Sequence, residues 1–168
     1  MHTMSHGVLL ALHWVTFFYS MQVANIAVGM ISLYAYPVVT VFLEPWLKRT
    51  KLDWRDVVSG FLVLFGIYWL VPEFNIDNNM TQGVMWGVIS AVTFAVRNLL
   101  LSHWFSNQTA ARSMSYQVLI VALLMTPILV LSPHQPSSHD WWLLVCLGIF
   151  FTAFTHTLLG YSLRYLKA

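Results

Sequence analysis

Residues 82–104 read QGVMWGVISAVTFAVRNLLLSHW. The run stays apolar over its whole length, and its few polar residues do not alternate with apolar ones. A barrel strand would alternate and span the membrane in about ten residues. A helix crossing a hydrocarbon core of about 30 Å needs roughly 20 apolar residues. The stretch is therefore read as a transmembrane helix, and it sets the scale for the rest of the chain.

Five more segments pass the same reading, over about 3–23, 26–47, 54–71, 114–131 and 141–163. The predicted fold is all-α, a polytopic bundle with six spans. Composition agrees. Of 168 residues, 58% are hydrophobic and only 8% charged, with a mean hydropathy of +0.69. A soluble domain carries about 25% charged residues, so a water-facing surface cannot be built from this set. The charges sit at segment ends with no basic stripe, which argues against nucleic acid as a partner. One cysteine, Cys146, excludes an internal disulfide framework. The opening MHTMSHG has no basic n-region and is not a convincing signal peptide.

The connections are short, and Pro72, Pro133 and Pro136 punctuate helix ends. Lys48, Arg49, Lys51 and Arg55 cluster between the second and third segments. Arg112, Arg164 and Lys167 fall on the same side, and the opposite loops hold no Lys or Arg. The positive-inside rule then predicts a cytoplasmic 48–55 loop and a cytoplasmic C-terminus. The expected location is the bacterial inner membrane.

A weak repeat joins the ends. GVLLALHWVTFFYSMQVA (7–24) aligns with GIFFTAFTHTLLGYSLRYLKA (148–168) through Gly, His, Tyr-Ser and Ala. The two segments are an odd number of helices apart, so they cross the bilayer in opposite directions. Inverted repeats of this kind recur in secondary transporters, with the substrate near the midplane.

Polar residues inside apolar segments mark candidate sites, because each costs about 2.5–3.5 kcal/mol in the bilayer centre when charged. The second segment carries Ser32, Tyr36, Thr40 and Glu44 on one face, interrupted by Pro37. That face is either a kinked cavity wall or a set of helix–helix hydrogen bonds. Glu44 either meets substrate or protons, or pairs with a cation such as Lys48. The fourth segment aligns Trp86, Ser90, Thr93 and Arg97 at steps of 4, 3 and 4, with Asn98 adjacent. Arg97 lies about 22 Å along its helix. It either snorkels to the interface or faces inward to bind an anion or Glu44. His13, Thr16 and Ser20 share a side of the first segment, and Thr152, Thr155 and His156 lie close in the last. The two histidines read either as structural hydrogen-bonding groups or as titrating ones. Trp14, Trp69, Trp104, Trp141 and Trp142 fit interfacial anchors. No nucleotide, hydrolase or zinc-protease motif occurs, so no enzyme activity and no cofactor is expected. His134 and His139 lack a third ligand nearby, and no metal site is expected.

GMISLYAYPVVTVFLEPWLKRTKLDWRDVVSGFLVLFGIYWLVPEFN (29–75) resembles the third-to-fifth-helix region of EamA-type members of the drug/metabolite transporter superfamily. QGVMWGVISAVTFAVRNLLLSHWF (82–105) resembles the opening helix of their second repeat, and 148–168 resembles its third. The resemblance implies ten helices in two inverted five-helix repeats. It assigns 1–73 to the last three helices of the first repeat and 81–168 to the first three of the second. It implies a fragment of a secondary transporter that exports or exchanges a small metabolite by alternating access. Relatives often carry an acidic residue where Arg49 to Lys51 stand. The expected partners are the lipid bilayer and a small-molecule metabolite, with a homodimer among the assemblies open to it. The rival reading is a non-transporting membrane subunit or assembly protein, whose polar faces only bind other helices.

Overall fold

The computed structural model describes residues 2–49, 51–69, 75–103, 110–132 and 136–165. Expectations on Pro72, Trp104, Pro133, His134, Lys167 and Ala168, and on the side chains of Lys48 and Arg164, lie outside the described residues. Among those residues there is no strand, and the fold is all-α. The helices are α1 (His2–Val23), α2 (Ile26–Leu33), α3 (Tyr36–Lys48), α4 (Trp54–Tyr68), α5 (Asn79–His103) and α6 (Ala110–Leu131). They are followed by α7 (Ser138–Cys146), a π-helical segment (Leu147–Phe154) and α8 (Thr155–Tyr165).

Local chemistry explains the boundaries. Asn25 stands outside α2 and accepts the Val28 N–H at 3.0 Å, so α1 and α2 need almost no linker. Asp53 caps α4 through the Arg55 N–H. Ser137 and Asp140 close a reciprocal capping box on α7. The predicted second span is two helices. Tyr34 N–H reaches Ile31 O at 3.0 Å and Ala35 N–H reaches Ser32 O at 3.1 Å, a tightened turn. Pro37 then falls in the first turn of α3, where its missing N–H does least harm. Helix α3 ends on Arg49 in the left-handed region (φ 54°), with its N–H on Pro45 O. The last predicted span is continuous in direction but not in type, since its middle eight residues are π-helical. Periodicity in a run that is apolar but for Thr152 does not reveal such a segment.

Four helical stretches are long and apolar enough to cross a membrane, over Ile26–Leu47, Asn79–Ser102, Ala111–Leu131 and Ser138–Ser162. Two of the six predicted spans therefore do not qualify among the described residues. Helix α4 is too short at 15 residues. Helix α1 is 22 residues long, but its apolar run is diluted by His6, His13, Thr16 and Ser20.

The chain divides into two compact units, Leu12–His103 and Met1–Ala11 with Trp104–Ala168. In the first, α5 packs along α2 and α3, and α4 packs on α3. Ala35, Ile67 and Ala91 form its buried apolar centre, flanked by Leu33, Val63 and Val88. Helix α4 shows Phe61, Leu62, Phe65 and Tyr68 outward and buries only Gly60 and Ile67. In the other unit α6 packs on α8 and the π segment.

Candidate functional site

Helix α5 is the axis of the Leu12–His103 unit, and its small residues decide how closely others approach. A Cβ at Gly87 would overlap Ser32 Cβ and stand 3.2 Å from both Ser20 Oγ and Ser32 Oγ. A Cβ at Gly83 would overlap Ala24 Cβ and stand 3.3 Å from the Ser20 carbonyl. With hydrogen there instead, the backbones close up and Ser20 Oγ donates to the Gly83 carbonyl at 2.6 Å. Gly83 and Gly87 are a small-xxx-small pair in an apolar helix. The reading by polar residues passed over them, although the spacing was visible in the sequence.

Ser20 and Ser32 face the same seam with unlike chemistry. Both are fully buried, but Ser32 Oγ has no hydrogen-bond partner among the described residues. Ser32→Ala should be neutral or stabilising by up to about 1 kcal/mol, since it removes a buried hydroxyl that gains nothing. Ser20→Ala should cost about 1 kcal/mol. Thermal denaturation of the purified variants compares the two, and an equal loss in both would contradict this placement.

One turn and a half along the seam, His13 of α1 and Ser90 of α5 hold each other's backbone. Ser90 Oγ lies 2.8 Å from His13 Nδ1 and 3.0 Å from the His13 carbonyl. His13 Nδ1 lies 3.2 Å from the Ser90 carbonyl. One arrangement satisfies all three contacts. The ring hydrogen sits on Nδ1 and is shared by the two Ser90 oxygens, while the serine hydroxyl donates to the His13 carbonyl. Both side chains are buried. The imidazole stacks on Phe94 at 4.6 Å between centroids, and Tyr36 meets Phe94 edge-on at 5.2 Å. Thr93 donates back to the Ser90 carbonyl, and Thr16 to the Leu12 and His13 carbonyls.

Two turns beyond Ser90 lies Arg97. Its side chain is only 1% exposed, so the snorkelling alternative does not hold. Nη1 donates to Asn98 Oδ1 at 2.9 Å, and Asn98 is itself buried. A groove of about 170 Å³ between α3 and α5 is lined by Leu43, Leu47, Val96 and Leu99 among others. Its lining residues are all apolar, and neither Glu44 nor Arg97 is among them.

The other predicted residues are placed as follows. Tyr36, Thr40 and Glu44 are half-buried, with Thr40 donating to the Tyr36 carbonyl. Pro37 is exposed. Trp86 is turned outward from Ser90 and Arg97 and meets Tyr19 edge-on at 5.2 Å. Thr152 and His156 belong to the other unit, where both are half-buried. Thr155 donates to the Phe151 carbonyl within the π segment. Thr81, His6 and Gln117 are deeply buried polar residues that were not singled out. Gln117 donates to Ser113, one turn earlier in α6. A lone amide in an otherwise apolar run was the available signal. Chemically, the Leu12–His103 unit offers side-chain-to-backbone ties between helices and one buried permanent cation.

Residues 5–71 match the EamA-like transporter family. Over 99% of its length the chain is 24% identical to an uncharacterized transporter, YxxF, of Bacillus subtilis (strain 168), covering 55% of that protein. Over 84% of its length it is 19% identical to an S-adenosylmethionine uptake transporter of Rickettsia prowazekii (strain Madrid E), covering 48% of it. The chain spans about half the length of the curated relatives it matches. No solved structure matches it.

Proposed function

We propose, from the premise that residues 5–71 are EamA-like transporter sequence, that this integral membrane protein carries a small metabolite across a bacterial inner membrane. In this reading it is a carrier and not an enzyme. It works by alternating access, exporting or exchanging its substrate. Residues 1–73 and 81–168 are parts of two inverted repeats, with the 48–55 loop and the C-terminus on the cytoplasmic side. The observation that carries the reading is Arg97, a permanent cation buried at 1% exposure in a helix long enough to cross the bilayer. Burying such a charge is costly, and intramembrane charges that turn inward usually serve a substrate or ion path.

A second reading has an observation of its own. His13, Ser20 and Ser90 direct their polar atoms to the backbone of a neighbouring helix, as expected of a subunit whose polar groups only hold helices together. Uptake into vesicles from cells expressing the full-length gene separates the two. S-adenosylmethionine is the first probe, because one relative bears that name. Saturable uptake is expected, and Arg97→Ala should lower it by on the order of tenfold or more. A folded protein with no saturable flux of this or any other tested metabolite supports the subunit reading.

A further inference from the structure

We propose that Ser20 and Ser32 are the two positions of a hydrogen-bond latch on α5, competing for the Gly83 carbonyl so that either α1 or α2 is tied to it. The latch belongs to the Leu12–His103 unit, and only its part in transport rests on the transport reading.

A serine or threonine within a helix has a ready acceptor in the carbonyl four residues back. Thr40, Ser59, Ser115 and Thr126 all use it, donating to the carbonyls of Tyr36, Arg55, Ala111 and Ala122. Ser32 does not. It is fully buried, and its Oγ has no hydrogen-bond partner among the described residues. A hydroxyl left this way in an apolar seam is destabilising.

The direction of that hydroxyl is informative. Ser32 Oγ faces α5 and stands 3.2 Å from the place a Gly87 Cβ would occupy. Ser20 Oγ comes within 3.2 Å of the same place from α1. Two hydroxyls from different helices therefore face one notch, and Gly87 opens it. A serine at position 87 would itself bond back to the carbonyl of residue 83. Glycine leaves that carbonyl to donors from outside, and Ser20 holds it at 2.6 Å.

The carbonyl has two lone pairs. One accepts the Gly87 N–H, as in any α-helix, and the other accepts the Ser20 hydroxyl. Ser32 can bond there only when Ser20 lets go. Ser20 then has the Thr16 carbonyl in its own helix, four residues back. The exchange pairs both hydroxyls, where the present arrangement pairs one. Close packing opposes it, because Ser32 Cβ already fills the space of a Gly87 Cβ. Helix α2 has to slide along α5, which separates the two arrangements as discrete packings of one interface. Helices α1 and α2 are joined at Asn25 with almost no linker, so releasing one and capturing the other is a tilt of a single hairpin. In the transport reading α1 and α2 belong to one repeat and α5 to the other, and the exchange accompanies the change of access.

The test compares thermal midpoints of the purified chain in detergent, unmutated and as Ser20→Ala, Ser32→Ala and the double variant. Ser32→Ala alone should leave the midpoint unchanged or raise it. In the Ser20→Ala background Ser32 holds the carbonyl, so adding Ser32→Ala should lower the midpoint by about 2–4 °C. A serine that only packs would not give this reversal of sign. The same shift in both backgrounds overturns the latch. So does a lowered midpoint in Ser32→Ala alone, which would mean that its hydroxyl is already paired. Should Ser20→Ala not fold, Ser20→Cys, whose thiol is a weak donor, replaces it as the background and the same reversal is expected. In vesicle uptake Ser32→Ala should lower the maximal rate severalfold, and an unchanged rate removes the latch from the change of access. Absence of uptake by the unmutated protein strikes the transport reading alone, because the comparison of midpoints does not use transport.

Discussion

Gly87→Leu should leave little folded protein, while the same change at Gly66 should be tolerated. At Gly87 even the first added carbon would overlap Ser32 Cβ and crowd the hydroxyls of Ser20 and Ser32. Those neighbours sit on helix backbones and cannot swing aside like the end of a flexible chain. Overpacking costs about 1–3 kcal/mol where surroundings can yield. Here α5 would have to move away from α1 and α2, which also breaks the Ser20 bond to the Gly83 carbonyl. A domain's whole stability is about 5–15 kcal/mol, so the loss is a large share of it. At Gly66 nothing lies within 4 Å of an added Cβ, and replacing a helical glycine gains up to about 1 kcal/mol. Monodisperse yield in detergent and the thermal midpoint measure both. Equal behaviour of the two variants would mean that α5 does not pack through its glycines.

The second large effect concerns His13 and Ser90, which should be coupled and not additive. Each single change, His13→Ala or Ser90→Ala, removes the contact between Ser90 Oγ and His13 Nδ1; Ser90→Ala leaves the His13 ring its contact with the Ser90 carbonyl, and His13→Ala leaves the Ser90 hydroxyl its bond to the His13 carbonyl. His13→Ala also removes the ring stacked on Phe94, so it should be the more damaging. Interhelical hydrogen bonds in membrane proteins contribute about 0.6 kcal/mol on average and up to about 1.7. A coupling energy of about 1 kcal/mol is expected, near the middle of that range. A double-mutant cycle on unfolding free energies supplies the number. Strict additivity would show that the two residues do not hold α1 to α5.

Much of this was legible beforehand. The all-α fold follows from apolar runs of bilayer length, and the grouping of Ser90, Thr93 and Arg97 on one face follows from helical period alone. The EamA-like resemblance read over 29–75 overlaps the family match over 5–71. Other features were not legible because they depend on what stands opposite. Trp86 shares a helical face with Ser90 and Arg97 by spacing, yet it is turned towards Tyr19. A face is an arc more than a line, and only the neighbours decide which edge of it is covered. Pro37 announced a break, but the tightened turn at Tyr34 and Ala35 places it at a helix start and not mid-helix. The π segment leaves no mark in a run where every residue is apolar or small.

The sequence by itself determined that the chain is helical and belongs in a bilayer, because composition and run length admit no other solvent. It also determined where charge is scarce enough to matter, which singled out Arg97. Only the tertiary structure decided that Arg97 turns inward, that His13 and Ser90 tie two helices together, and that Gly83 and Gly87 make the approach possible. Those outcomes depend on distances between segments far apart in the chain, and local propensity holds no information about them.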